Sequence, residues 1–214
     1  SNPGTSGYDI SIENVWDYIS DSSNITIAVV DTGVNYNHED LSPNMWNGGS
    51  NFPHHGYNFI TNAVDPNITA NDPMDYNGHG TLVAGIIGAA QNSNGGVGIC
   101  WKSSIMAVRV LDSLGNGTTS SIVSGINFAV NNGAKVICLC SAGYTYDEAL
   151  YSAIENARNN GIIVVTAAGN DGVNINNAAN AQHPEYDVYP AEFDLDNIVS
   201  VAALDQKFQI ANFS

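Results

Sequence analysis

Short apolar runs that alternate with segments of helical periodicity constrain this chain more than any other feature. The runs are ITIAVV (25–30), IMAVRVL (105–111), KVICLC (135–140), GIIVVTAA (161–168) and IVSVAAL (198–204). Each is apolar almost throughout instead of at every second position, which is how a strand buried on both faces reads. Between them lie IENVWDYI (12–19), TLVAGIIGAA (81–90), TSSIVSGINFAVNNG (119–133) and YDEALYSAIENARNNG (146–161). The last two carry the punctuation of helices. One opens on Thr and Ser, the other has acids in its first turn, and Gly133 and Gly161 are their stops. Segment 81–90 is apolar on most sides, which predicts a central helix. Strand–helix alternation of this kind predicts an α/β fold, a parallel sheet flanked by helices on both faces, in one domain over residues 1–214. The longest irregular stretch, about 42–77, is rich in Asn, Pro and Asp. A loop of that length is usually functional or ion-bound.

Charge narrows the partners. With five Lys plus Arg against 21 Asp plus Glu, the formal net charge is −16. A phosphate-backbone partner needs clustered cations, so nucleic acid is excluded and cations such as calcium are favoured. No apolar run reaches the roughly 18 residues of a membrane span. Cys100, Cys138 and Cys140 form neither a disulfide framework nor a zinc spacing. Two residues apart on one strand face, Cys138 and Cys140 do not suit a disulfide; small buried side chains are the reading preferred. The chain has no Met start and no leader, which points to a mature form or a fragment.

In parallel sheets the chemistry lies beyond the carboxyl ends of the strands. That rule selects three residues. Asp31 follows the first strand in VVDTGV. His79 stands between Gly78 and Gly80 at the head of a helix in NGHGTLVAG. Asn170 ends the strand run VVTAAGN. Taken singly, each has a plain structural reading: a turn acid, a loop histidine, a turn asparagine.

Together, in this order, the three motifs resemble the subtilisin-like serine proteases (subtilases). The resemblance runs from the first helix to the closing ANFS and takes in HEDL (38–41), NNGAKVI (131–137) and YPAEFDLDNIVSVAALD (189–205). It implies that Asp31 orients and charge-stabilises the imidazole, that His79 is the general base and acid, and that Asn170 donates to the oxyanion. It implies that LGNG (114–117), with Gly115, Asn116 and Gly117, and CSAG, with Cys140, Ser141, Ala142 and Gly143, flank a polypeptide substrate as strands. Ala168 and Gly169 would line the specificity pocket. LGNG as a plain turn and CSAG as a strand exit remain the alternatives.

The match departs from the family in three places. The usual Asn-x-Ser-x-Gly reads CLCSAG here, so either Cys138 and Cys140 replace the Asn and Ser, or one residue is inserted. Leu82 stands where a second histidine is frequent, with little expected consequence. The family's nucleophile lies in a Gly-Thr-Ser motif on a late helix, and the chain's Gly-Thr-Ser is Gly4-Thr5-Ser6, ahead of every catalytic element. The resemblance therefore implies the N-terminal portion of a catalytic domain, truncated before its serine and inactive alone. The parent would be a serine endopeptidase; a non-catalytic, peptide-gripping pseudoprotease is the alternative. A propeptide or the absent C-terminal segment joins the polypeptide substrate as an implied partner.

The family also implies structural calcium. Asp40 in HEDL matches a ligand position, the loop QNSNGG (91–96) with Asn92 and Asn94 resembles the loop around that ion, and Asp9 is a further candidate. Asp65, Asp72 and Asp75 form a second acidic group that reads equally as a calcium site or a solvated loop. Secretion is the family's habit, and the sequons at Asn24, Asn67, Asn116 and Asn212 agree with it.

Overall fold

The computed structural model describes residues 9–60, 69, 71–175 and 187–214. Six strands form one sheet: β1 (Asp21–Asp31), β2 (Gly56–Asn58), β3 (Lys102–Arg109), β4 (Val136–Leu139), β5 (Ile163–Ala167) and β6 (Ile198–Val201). Their order is β2-β3-β1-β4-β5-β6, and every neighbouring pair is parallel. The helices are α1 (Glu13–Trp16), α2 (His79–Gly88), α3 (Thr119–Asn131) and α4 (Glu148–Asn159).

The predicted two-faced burial is present. On β1 and β3, Ala28, Val30, Met106 and Val108 point into a core shared with Ile126 and Ala129 of α3 and Leu150, Ile154 and Ala157 of α4. The intervening residues Val29, Ile105 and Ala107 point the other way, to Ala84 of α2 together with Val34 and Leu41. Strand alternation thus feeds two cores, one on each side of the sheet. Helix α3 opens on a reciprocal cap, with Thr118 Oγ1 accepting from the Ser121 N–H and Ser121 Oγ accepting from the Thr118 N–H. Asp147 caps α4 by accepting from the N–H groups of Ala149 and Leu150. Gly133 and Gly161 follow the two helices with positive φ, the left-handed stop that glycine adopts without strain.

Two expectations need correction. Helix α2 is not enclosed: Gly80, Ala84 and Gly88 face the sheet, while Leu82 is 72% and Ile86 66% exposed. Its small face permits a close approach to β1 and β3, so one side of the helix makes the packing. The long irregular stretch contains strand β2, whose Gly56 lies so near the Ala107 carbonyl that no Cβ fits between them.

The topology positions the site. From β1, one neighbour (β3) continues the sheet to one side and the other (β4) to the opposite side. Such a reversal opens a crevice beyond the strand ends, and Asp31 is the last residue of β1.

Candidate active site

Asp31 is 1% exposed. Its Oδ1 accepts from the Thr32 N–H at 2.7 Å and from His79 Nδ1 at 2.8 Å. Oδ2 is buried with no hydrogen-bond partner among the described residues. A carboxylate so enclosed is fixed in direction and strengthens every electrostatic contact it makes. His79, half exposed, is the first residue of α2. The bond to Asp31 is the chief influence on the imidazole; against the opposing effect of burial, it holds the pKa above the ordinary histidine value, with further support from the charges of Asp31, Cys140 and Asp75. Donation from Nδ1 leaves Nε2 facing outward as an acceptor.

The geometry of this pair comes from a small cradle. Gly78 precedes α2 with φ of 104° and offers no side-chain cap. Asp75 takes over the capping: its Oδ1 accepts from the Asn77 and Gly78 N–H groups, and its Oδ2 from the Thr81 N–H and hydroxyl. Burial pushes the Asp75 carboxyl up, but these donors more than offset it and hold the pKa below the usual value. Thr32 Oγ1 accepts from the Gly80 N–H, and Thr81 Oγ1 from the Asn35 N–H, tying the β1 exit to the start of α2. Arg109, 1% exposed, donates to the carbonyls of Leu111 and Met74 and lies 5.2 Å from the Tyr76 ring centroid. It fastens the segment leading to His79 onto the end of β3. The sequence reading placed Asp75 in an acidic group and missed its capping role, and it missed Arg109 altogether. An aspartate four residues ahead of the helix is beyond the usual cap position, and an arginine inside an apolar strand run was the one available signal for the second.

Thr32, Asn77, His79, Leu111, Gly115, Cys140, Ser141 and Ala142 line a cleft of about 290 Å³. The structure thus brings His79 between the two segments expected to flank substrate. LGNG is also a tight turn, with Asp112 Oδ1 accepting from the Leu114 and Asn116 N–H groups, and Asn77 Nδ2 donating to the Ser113 carbonyl. Gly117 lines an adjoining pocket with Ser141, Ala142 and Gly143. The β4–β5 register runs without a shift through Leu139. Gly143 then exchanges both backbone bonds with Tyr189. Asn170 is exposed beyond β5, past the same carboxyl end of the parallel strands as Asp31. Ala168 lines a separate cavity with residues of 172–175 and 200–214, and Gly169 packs on Val188, so neither lines the cleft at His79.

The ion candidates divide. Asp40 is 5% exposed; Asn92 Nδ2 donates to its Oδ1, and Gly95 comes so near Oδ2 that a Cβ would collide with it. The 91–96 loop therefore closes over a buried carboxylate. Asn94 Nδ2 instead donates to Glu39, and Asp9 accepts from the Ser11 N–H. Among the described residues no three His, Cys, Asp or Glu side chains converge as a metal cluster. Asp72 accepts from the Met74 N–H and the Tyr36 hydroxyl, Asp75 caps α2, and Asp65 lies outside the described residues, as does the sequon residue Asn67.

A parallel α/β sheet with a buried aspartate bonded to a histidine at its topological switch point defines an acid–base site. The profile of the subtilase family matches residues 22–214, and the chain belongs to that family. It is 38% identical over 206 residues to thermitase of Thermoactinomyces vulgaris, covering 96% of this chain and 63% of that protein. It is 38% identical over 200 residues to a thermophilic serine proteinase of Bacillus sp. (strain AK1), covering 93% and 43%. Subtilisin DY of Bacillus licheniformis is 35% identical over 192 residues, covering 90% and 61%. The chain thus spans less than two thirds of the length of these relatives.

Proposed function

We propose that this chain carries the acid–base machinery of a serine endopeptidase of the subtilisin type. The observation that carries the reading is the 2.8 Å bond from His79 Nδ1 to the buried Asp31, set in a cleft walled by Gly115 and by Cys140–Ser141–Ala142. With Nδ1 committed, Nε2 accepts the proton of a serine hydroxyl delivered from sequence beyond Ser214 and returns it to the leaving amine. Asp31 stabilises the imidazolium formed in between. Asn170 offers an amide N–H₂ to the developing oxyanion. The polypeptide substrate lies extended between the Gly115–Gly117 turn and the Cys140–Gly143 segment, bonded through main-chain groups that do not depend on its sequence.

A structural calcium at Asp40, wrapped by the 91–96 loop with Asn92, belongs to the same proposal. It would supply no chemistry and would fix the loop that packs on the C-terminal end of α2. The Ala90 N–H bonded to the Asp40 carbonyl makes that connection. Secretion accords with the sequons; among the described residues no helix is long and apolar enough to cross a membrane.

The test is peptide hydrolysis by the whole protein. It is expected to be stopped by a serine-directed covalent inhibitor and lowered by several orders of magnitude in His79→Ala, since such groups act as a unit. Cleavage that survives His79→Ala removes the assigned role. Peptide binding without any cleavage by the whole protein means a pseudoprotease.

A further inference from the structure

The mechanism above uses no thiol chemistry, yet a pair of thiols stands at the cleft. Cys138, in β4, and Cys140, just past its end, place their sulfurs 3.6 Å apart. Residues two apart on an ideal strand have Cα atoms about 6.6–7.2 Å apart, at or beyond the upper edge of the span a disulfide bridges. Because β4 ends at Leu139, Cys140 is released from strand geometry and its thiol turns toward that of Cys138. Cys140 also lines the cleft with His79, open to small reagents. Both cysteines are unpaired and half-buried.

We propose that Cys138 and Cys140 are a dithiol modification site, closed to a reversible intrachain disulfide by a hydroperoxide. The two sulfurs are chemically unequal. The Cys138 thiol, donating toward its neighbour and partly buried near Asp31, is held far above the ordinary thiol range, while that donation, with help from His79, lowers the Cys140 thiol. Cys140 is therefore the attacking thiolate. Its sulfur takes one oxygen of the peroxide, the O–O bond breaks, and the departing oxyanion picks up a proton, leaving a sulfenic acid on Cys140. The Cys138 sulfur then attacks the Cys140 sulfur. The S–O bond breaks, and the hydroxide leaves with the Cys138 proton as water. Two thiols have lost two electrons, and one peroxide has been reduced. Forming the bond draws the sulfurs together by about 1.5 Å from their 3.6 Å separation. That pulls on the Cys140–Gly143 wall of the cleft and removes a negative charge beside His79. The site itself is independent of peptidase activity; its power to switch off cleavage rests on the function proposed above.

The experiment treats the folded chain with hydrogen peroxide, blocks remaining thiols with iodoacetamide and maps the peptides by mass spectrometry. The peptide spanning both cysteines is expected to lose about 2 Da, the two thiol hydrogens, and to resist alkylation. Dithiothreitol should reverse both changes. Cys138→Ser should instead stall at a sulfenic acid on Cys140. The His79 pKa, followed by NMR, should fall on oxidation, because the Cys140 charge that raises it is gone. Peptides with both cysteines still alkylated, or singly oxidised cysteines in the unsubstituted chain, overturn the proposal. A His79 titration unmoved by a demonstrated bridge overturns the coupling of the bridge to His79 and leaves the disulfide standing. A bridge that forms in a protein never found to cleave peptides leaves this site standing and removes the peptidase reading.

Discussion

Gly80→Ala puts the tightest point of the site under stress. A methyl group at this position would overlap the Gly33 carbonyl oxygen and lie 3.1 Å from Asp31 Cβ and 3.2 Å from Asp31 Oδ1. Restoring ordinary contact distances requires a backbone separation of about 1 Å. The start of α2 has to move away from the end of β1, and two bonds span that gap: Gly80 N–H to Thr32 Oγ1 at 2.9 Å and His79 Nδ1 to Asp31 Oδ1 at 2.8 Å. Overpacking of this kind costs about 1–3 kcal/mol. Misplacing a catalytic group by about 1 Å lowers turnover by about 100-fold. Gly85→Ala on the same helix is the control. A Cβ there meets nothing within 4 Å, so replacing a mid-helix glycine should stabilise by about 1 kcal/mol. Urea unfolding of the two variants, with the His79 titration followed by NMR, should therefore show opposite signs. The stability should fall in one and rise in the other, and the His79 pKa should return toward the ordinary value in Gly80→Ala alone. If Gly80→Ala keeps wild-type stability and an elevated His79 pKa, the close approach assigned to Gly80 is wrong.

Asp31→Asn should lower the His79 pKa, since its largest support is the bond to Asp31. A raised folded-state pKa stabilises the fold at pH values below that of an ordinary histidine and loses the effect as pH rises through the raised value. The Asn variant should therefore lose stability mainly on the acid side of neutrality, as pH-dependent denaturation will show; an unchanged pH profile contradicts the pairing. Asp75→Ala removes four hydrogen bonds at the head of α2 and should cost about 2 kcal/mol. Because the folded carboxyl titrates below its usual value, its contribution is present above the ordinary carboxylate range and is lost as pH falls through the folded pKa. The difference from wild type should vanish in acid melts. Calcium at about 100 times its dissociation constant should add about 2.7 kcal/mol, or roughly 5–10 °C in Tm for a chain this size. Asp40→Ala should abolish that response, and a Tm indifferent to EDTA removes the ion.

The long-range plan of the molecule was legible because it rests on repeated, redundant signals. Five strands and four helices each announced themselves by several residues, and the Asp31 and His79 motifs mark places where a strand must end and a helix begin. What escaped has a different physical origin. Strand β2 is three residues long and is held by backbone pairing, with Gly56 at van der Waals limit against β3. No side-chain period records such a contact. Helix α2 read as central because its composition is apolar all round; only the packing shows that its glycines and Ala84 make the interface. Asp75 caps a helix from across an intervening turn, and Cys140 meets Cys138 only because the strand stops one residue earlier. Each depends on where the backbone bends, which periodicity does not encode.

The position of β1 carries a consequence for biogenesis. Its partners are β3, which pairs Val30 with Val108, and β4, which pairs Ile27 with Val136. The strand that bears Asp31 thus waits for about 110 further residues before both its edges are covered. At a synthesis rate of about 5–20 residues per second, that is roughly 5–20 s on the ribosome. Both edges of this apolar strand stay unpaired until β3 is made, and one stays open until β4 follows, available to any passing chain. Parallel pairing at such sequence separation is also intrinsically slow. The central seat that holds Asp31 rigid in the finished molecule makes the same segment the one most in need of shelter while the molecule is being made.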